Sequence, residues 1–218
     1  MTLETRLWWD VDGTAVHRDG LVWNHPRHEW DPAFGVPQDL QPISAKAAIR
    51  QLQHARPFRG LPMGIIGPKK ASQEAREMAE AAGLAVAGLG LALLCGGKTG
   101  VMEAACKGAQ EAGGLTIGLL PDEEWTAANP YVDIPLASGI GPARNAIIAR
   151  ACPVLIAIGG EYGTLSEMAF GLHFNRHVIS FGNAPFVAGA VCANSVEEAI
   201  DLACLAYLRL QPFEQPAD

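Results

Sequence analysis

Two glycine-rich segments of the chain have the residue types and spacing that bind a phosphate group. In residues 91–114 an apolar run leads into a glycine-rich turn at 96–100 and then into a pattern of helical period. Residues 154–172 repeat this arrangement, with the turn at 159–164. Glycines at such a turn let backbone N–H groups approach an anion, and the positive end of the following helix dipole stabilises it. The first turn does not have the G-x-x-x-x-G-K-[ST] spacing of an ATPase loop, and a tight turn without a ligand is the simpler alternative.

Three charged residues near these turns could take part in chemistry. Arg144, in GIGPARNAIIARACP, is predicted in the first turn of a helix, where a cation opposes the helix dipole, so we expect it to face an anion. Glu167 closes the sequence Thr-Leu-Ser-Glu, which fits a capping box as well as it fits a catalytic carboxylate. Lys98 is either a phosphate contact or a solvated loop lysine. Spacing alone leaves both alternatives open for Glu167 and for Lys98.

The elements that position these residues begin at residue 62, where short apolar runs start to alternate with segments of helical period. This is the pattern of a parallel sheet with helices on both faces. Because both glycine-rich turns follow strands of one parallel sheet, they fall on its carboxyl edge, where open α/β folds bind ligands. Arg144 and Glu167 could therefore converge between the two turns. The predicted strands are 63–66, 91–95, 115–120, 154–158 and 178–181, with a short one at Val191, and the predicted helices are 72–87, 195–209 and segments from about Gly100, Gly141 and Thr164.

The first 60 residues differ in kind from the rest. Four of the five tryptophans lie within residues 8–30, and Asp-Gly pairs stand at 12–13 and 19–20. Asp-Gly between apolar stretches is typical of a hairpin, so TAVHRDGLVW predicts two strands around a tight turn. A Pro-rich stretch then leads to a short helix over 44–54. The predicted organisation is an N-terminal extension over 1–61 and an α/β domain over 62–210.

Composition limits the partners and the compartment. The net charge of −7 argues against the broad basic surface that nucleic acid requires. The five cysteines are far apart without a C-x-x-C pair, which indicates reduced thiols and neither a disulfide framework nor a zinc site. MTLETRLWWD lacks a signal-peptide pattern, and the uncharged run 81–97 is short for a membrane span. We expect a cytoplasmic protein that binds a small molecule, without a metal or cofactor.

The two glycine-rich segments carry a family resemblance. GGKTGVMEAACKGA and ARNAIIARACPVLIAIGGEYGTLSE resemble the paired signatures of the LOG-like proteins, a Rossmann-like family often mislabelled as lysine decarboxylases, which includes the cytokinin-activating phosphoribohydrolases. The resemblance covers residues 62–205. It implies a three-layer α/β fold with a mostly parallel sheet, a homodimer, and hydrolysis of the N-glycosidic bond of a nucleoside 5′-monophosphate. The family's catalytic arginine and glutamate correspond to Arg144 and Glu167.

Departures from the plant-type signature indicate a bacterial branch of this family. Asn145 replaces a usual lysine, Ile158 a proline, and Ser166 a second glutamate. In these features the chain is similar to the molybdenum-cofactor carrier proteins, which bind a phosphorylated pterin without chemistry. The expected function is hydrolysis of a nucleotide to free base and ribose 5-phosphate, with non-catalytic binding of a nucleotide or of molybdenum cofactor as the alternative. The predicted ligand contacts are Gly67, Gly96, Gly97, Lys98, Thr99, Gly100, Gly159, Gly160, Glu161, Tyr162, Gly163 and Thr164.

The sequence DVDGT at residues 10–14 supports two further hypotheses. It resembles the opening motif of haloacid-dehalogenase-type phosphatases, whose first aspartate attacks phosphorus. Such enzymes need a buried strand before that aspartate and an aspartate pair later, whereas here the preceding run is residues 7–9 and the best later candidate is Asp-Glu-Glu at 122–124. We interpret DVDGT as a turn in an aromatic hairpin.

The second hypothesis is a metal site. The residues that could form it are Asp10, Asp12, His17, His25 and His28. The simpler interpretation is that these are solvated turn residues.

Overall fold

An antiparallel sheet of five short strands precedes the main fold. The computed structural model describes residues 6–11, 15–35, 37, 39–55 and 60–210. The strand order is β4-β3-β2-β1-β5. The predicted hairpin is confirmed as β2 and β3, with Asp19 and Gly20 at φ 48° and 78° in the turn between them, but the extension is a full sheet, not a single hairpin. The strands are β1 (Leu7–Asp10), β2 (Ala15–Arg18), β3 (Leu21–Asn24), β4 (Glu29–Pro32) and β5 (Leu40–Ile43).

The main sheet has seven strands in the order β12-β11-β10-β6-β7-β8-β9, and every neighbouring pair is parallel. Five of these strands were predicted, with the starts of three shifted by one or two residues, and the short strand at Val191 was predicted as well. The edge strand β9 was not predicted. The strands are β6 (Met63–Ile66), β7 (Leu93–Cys95), β8 (Thr116–Leu120), β9 (Ile134–Ala137), β10 (Val154–Ile158), β11 (His177–Phe181) and β12 (Val191–Cys192).

Helices cover the main sheet on both faces and complete a three-layer α/β fold. Successive residues of a strand point to opposite faces. Ile65 and Ile156 share a core with α1, α2, α3 and α6, whereas Ile66 and Leu155 pack with α4 and α5. The described part of the chain contains no helix that is long and apolar enough to cross a membrane. The helices are α1 (Ala45–Ala55), α2 (Gln73–Gly88), α3 (Val101–Glu111), α4 (Arg144–Ala151), α5 (Tyr162–His173) and α6 (Val196–Tyr207).

The capped starts of α2 and α6 follow the sequence signals, whereas the start of α5 does not. Ser72 and Ser195 cap α2 and α6 by accepting hydrogen bonds from backbone N–H groups in the first turn. Glu198 bonds the N–H of Asn194, one residue before the N-cap. The helix α5 begins at Tyr162, two residues before the predicted start at Thr164. That shift changes the position of Glu167 in the helix and excludes a capping box over residues 164–167.

The N-terminal sheet packs against the helices α1 and α6 through aromatic side chains. The Trp30 indole donates a 2.7 Å hydrogen bond to the carbonyl of Leu208, and the His28 ring contacts Tyr207 edge to face. His25 and His28 are buried, so their interpretation as solvated turn residues was wrong. Burial, with a contribution from Arg209, lowers the pKa of His28 to about 4. Among the described residues, no group of three or more His, Cys, Asp or Glu side chains is arranged to hold a metal ion.

Candidate functional site

Arg144 and Glu167 meet on the face of the main sheet that α4 and α5 cover. Arg144 is the first residue of α4, and its Nη1 donates a 2.7 Å hydrogen bond to Oε1 of Glu167. Each side chain is only 7% exposed. The N-cap of α5 is Glu161. Glu167 therefore lies beyond the first turn of α5 and bonds a guanidinium, and the alternative capping-box interpretation of residues 164–167 was wrong.

Two of the three departures from the plant-type signature, Asn145 and Ser166, are hydrogen-bonded to each other. Arg144 Nη1 donates to the Asn145 side-chain oxygen at 2.6 Å, and Asn145 Nδ2 donates to Ser166 Oγ at 2.8 Å. The Ser166 hydroxyl donates in turn to the carbonyl of Gly163 at 2.7 Å. This chain of hydrogen bonds joins the start of α4 to the first turns of α5 and fixes the guanidinium. The sequence analysis noted both residues but not their contact.

Burial decides the protonation of Glu167. Loss of hydration raises the pKa of this carboxyl to about 7, although the charge of Arg144 and its hydrogen bond act in the opposite direction. A carboxyl group with this pKa exchanges its proton near neutral pH, which is the property required of a general acid or base. The catalytic role that the sequence predicts for Arg144 and Glu167 stays a prediction.

Two buried polar atoms near the pair have no hydrogen-bond partner among the described residues. They are Nε of Arg144 and Oγ1 of Thr164. Thr164 is 2% exposed and lies in the first turn of α5. Because buried polar groups are nearly always hydrogen-bonded, such atoms beside a cavity suggest a missing partner, either water or a ligand.

A cavity of about 400 Å³ opens beside the pair at the carboxyl edge of the sheet. This volume is in the range of small-molecule sites. Six of the predicted site residues are in its wall, from three different elements. The wall consists of Gly67, Pro68, Lys69, Lys70, Met102, Arg144, Asn145, Glu161, Gly163, Thr164 and Glu167.

The other predicted contacts lie outside the cavity wall, and their role in binding stays a prediction. The Lys98 amine is already paired, with Asp122 at 2.9 Å and the carbonyl of Ala127 at 3.0 Å. The Tyr162 side chain is 89% exposed at the start of α5. The remaining predicted contacts that do not line the cavity are Gly96, Gly97, Thr99, Gly100, Gly159 and Gly160.

The glycine-rich turn at 96–100 packs against Arg144 and against the loop that follows β6. A Cβ atom at Gly96 would lie 2.8 Å from Cζ of Arg144, so only glycine leaves room for the guanidinium. A Cβ atom at Gly100 would lie 2.5 Å from the carbonyl oxygen of Lys69. These glycines thus allow close packing against Arg144 and against the loop after β6, and the approach of their amides to a phosphate stays a prediction.

The sequence analysis missed the lysines that line the cavity. Lys69 and Lys70 follow β6 in the sequence Gly-Pro-Lys-Lys. The loop has a single glycine, so it did not match the glycine-rich pattern. Its position after a parallel strand was the signal that could have identified it, because that position places it on the same edge as the other two turns.

Asp10 and Val11, the described residues of DVDGT, do not line the cavity. Asp10 ends β1, which is a strand of the antiparallel N-terminal sheet, and its carboxylate is 3.8 Å from Nε2 of His17. Residues 12–14, which the sequence predicts to form a turn, are outside the described residues. None of the described residues of the extension lines the cavity.

Comparison with known proteins places this fold and site in a family. Residues 61–203 match the model of the SLOG cluster4 family. A protein of Archaeoglobus fulgidus is 37% identical over 139 residues, which is 64% of this chain and 91% of that protein.

Two solved structures are also similar. The molybdenum cofactor binding protein from Rippkaea orientalis is 34% identical with a TM-score of 0.62, covering 67% of this chain and 96% of that one. The Moco carrier protein from Chlamydomonas reinhardtii is 35% identical with a TM-score of 0.64, covering 70% of this chain and 100% of that one. The family match, the cavity at the carboxyl edge and these likenesses agree with the LOG-like, carrier-like resemblance of the sequence, and the chain belongs to the SLOG cluster4 family.

Proposed function

We propose that the cavity binds a nucleoside 5′-monophosphate-like ligand and that Arg144 and Glu167 hydrolyse its N-glycosidic bond. The observation that carries this proposal is the buried ion pair in the cavity wall. A structural ion pair would not need access to a cavity, whereas a catalytic carboxylate must reach the substrate. Hydrolysis also uses a carboxyl group that changes protonation near neutral pH, as Glu167 does.

The start of α5 supplies the phosphate site. The first N–H groups of a helix have no partner within the helix, and the dipole there favours an anion. The helix α5 has twelve residues, and its first turn contributes Gly163 and Thr164 to the cavity wall. The unpartnered Thr164 hydroxyl adds a donor aimed at the same group. A phosphate held there lies one helical turn from Glu167.

The proposed reaction transfers water to the sugar. As the bond between C1′ and the base nitrogen breaks, positive charge develops on the sugar, and the Glu167 carboxylate stabilises it. The water oxygen bonds to C1′, one water proton passes to Glu167, and Glu167 then gives this proton to the leaving base and returns to the carboxylate. The products are the free base and ribose 5-phosphate. Arg144 holds the carboxylate in position through its 2.7 Å hydrogen bond.

Non-catalytic binding of a nucleotide or of molybdenum cofactor is the second candidate. The similarity to a molybdenum cofactor binding protein and to a Moco carrier protein favours it. A phosphorylated pterin would use the same phosphate site at the start of α5. In this case Arg144 and Glu167 would orient the ligand without turnover.

Incubation with a panel of nucleoside 5′-monophosphates, followed by assay of free base and ribose 5-phosphate, tests the proposal. We expect product from at least one nucleotide and its loss in Glu167→Gln. Glu124→Gln, which changes an exposed carboxyl in the loop after β8, is the matched control and should retain turnover. Binding without product across the panel supports the carrier function and contradicts hydrolysis.

We also propose that the protein is a cytoplasmic homodimer that uses the α4–α5 face of the main sheet. The pairs Ile117–Ile134 and Leu119–Leu136 of β8 and β9 lie side by side on this face, and Ile134 and Leu136 are 41% and 46% exposed. Parallel sheets are normally covered on both faces, so a second copy would bury these side chains. Reduced thiols suit the cytoplasm, and all five cysteines are unpaired.

Sedimentation measures whether the protein is a dimer and whether this surface forms the interface. Leu136→Glu should give a monomer, whereas Leu84→Glu, at an exposed position of α2 on the opposite side of the sheet, should leave a dimer. A monomeric unaltered chain would contradict the homodimer.

A further inference from the structure

We infer that the ligand of this cavity carries a second anionic group and that Lys69 and Lys70, the lysine pair, bind it. The inference deepens the proposed function and rests on it. Its basis is that the cavity contains two separate sets of anion-binding groups. One set is the start of α5 with Thr164, and the other is the lysine pair on the loop after β6.

The lysine pair is available for a ligand. Among the described residues, neither amine forms a hydrogen bond or an ion pair, although the charge of Lys69 contributes to lowering the pKa of the Asp122 carboxyl. Lys98, on the neighbouring turn, differs because it is the lysine that bonds Asp122 directly. Asp122 therefore has its own partner, and the lysine pair is left to face the cavity.

The loop that carries the lysine pair is held in place by its neighbours. The N–H of Val101 donates to the carbonyl of Pro68 at 3.1 Å, and the Thr99 hydroxyl donates to the carbonyl of Lys69 at 3.2 Å. A Cβ atom at Gly67 would lie 2.7 Å from the carbonyl oxygen of Ile158, so the loop is also packed tightly against β10. A backbone fixed in this way presents its lysines to the cavity at a defined place.

The charges of the cavity wall favour an anionic ligand. The wall holds three cations, Lys69, Lys70 and Arg144, and two carboxylates, Glu161 and Glu167. Arg144 and Glu167 balance each other. The lysine pair then has only Glu161 as a counter-charge within the wall, and protonation of Glu167 makes the wall more positive still. This local excess of positive charge occurs on a protein whose net charge is −7.

The two sets are on different loops, one after β6 and one at the start of α5, so each can bind its own anionic group. A nucleotide with a diphosphate group, or a phosphate monoester with a further acidic group, can occupy both. Its phosphate nearer the sugar would bind the start of α5, and the second group would bind the lysine pair. The charge of the ligand is thus a specificity determinant of this cavity.

Calorimetry with adenosine 5′-monophosphate and adenosine 5′-diphosphate tests the inference in magnesium-free buffer. We expect the unaltered chain to bind the diphosphate about tenfold more tightly, the effect of one charge-assisted contact. The variant Lys69→Gln/Lys70→Gln should lose this preference. The matched control Lys46→Gln/Lys107→Gln removes two surface lysines whose partners are Asp201 and Glu80, and should keep the preference.

The outcomes separate the inference from the proposed function. Equal affinity for the two nucleotides, or a preference that survives in Lys69→Gln/Lys70→Gln, overturns the inference and leaves nucleotide binding intact. Inorganic pyrophosphate and phosphate serve as probes without a base. If neither nucleotide binds but pyrophosphate binds more tightly than phosphate through the lysine pair, the inference holds and the nucleotide proposal fails. If none of the four probes binds, both are overturned.

Discussion

The stability of the fold should depend on pH through Glu167, and Glu167→Gln should remove that dependence. Glutamine keeps the Oε1 acceptor that receives the 2.7 Å hydrogen bond from Arg144 but cannot ionise. Burial raises the pKa of Glu167 from 4.5 to about 7 in the folded chain. The ionised carboxylate is therefore less stable in the folded chain than in the unfolded one.

The sign and size of the effect follow from that shift. Below pH 4.5 the carboxyl is protonated in both states and contributes no penalty. As the pH rises toward 7, the folded chain retains the proton that the unfolded chain has lost, so the free energy of unfolding falls. Above pH 7 the full penalty applies, which is about 3 kcal/mol for a shift from 4.5 to about 7.

Urea unfolding at about pH 5 and pH 8.5 measures this difference. We expect Glu167→Gln to unfold with a free energy about 2 to 3 kcal/mol higher than the unaltered chain at the upper pH and nearly the same at the lower pH. Glu124→Gln, on an exposed side chain, should match the unaltered chain at both. If the free energy of unfolding of Glu167→Gln differs from that of the unaltered chain by the same amount at both pH values, Glu167 in the folded chain does not ionise between them.

Three further outcomes are expected. Gly96→Ala should lower turnover by about 100-fold, because a displacement of Arg144 by about 1 Å would spoil the alignment that the proposed reaction needs. Gly88→Ala, where a Cβ meets nothing within 4 Å, is the control, and equal activity of the two variants would contradict this role of Gly96. Of the five thiols, only Cys192 should react quickly with a colorimetric thiol reagent in the native protein, since the other four are buried, and rapid reaction of two or more would refute this burial. Trp30→Phe should lower the free energy of unfolding by about 1 kcal/mol in urea through loss of its indole hydrogen bond. Trp125→Phe, at an exposed position, should have no such effect, and an equal loss in both would show that the bond does not stabilise the fold.

The parts of the fold that the sequence predicted are those with buried, apolar, periodic segments. Strands such as β10 are fully buried and consist of unbroken apolar residues, which a single sequence shows directly. The edge strand β9 is mostly exposed and contains Pro135, so its sequence resembles a loop. Likewise β4 and β5 are four residues long and contain Pro32 and Pro42, and β5 pairs with β1, which is distant in sequence.

The parts of the site that the sequence predicted are those tied to helix starts on the carboxyl edge. The convergence of Arg144 and Glu167 followed from the order of strands and helices. Whether Glu167 belongs to a capping box could not be predicted in this way, because it depends on whether α5 begins at Tyr162 or at Thr164. Helix boundaries are poorly defined by sequence. The contact between Asn145 and Ser166 joins two helices and has no local signal.

A crystal structure of Glu167→Gln with adenosine 5′-monophosphate tests the central claim most directly. The claim is that the cavity beside Arg144 and Glu167 binds a nucleotide for attack at the sugar. It predicts the phosphate within hydrogen-bonding distance of the Thr164 hydroxyl and the first N–H groups of α5, with C1′ against the side chain at position 167. A nucleotide bound elsewhere, or an empty cavity at a saturating nucleotide concentration, would contradict it.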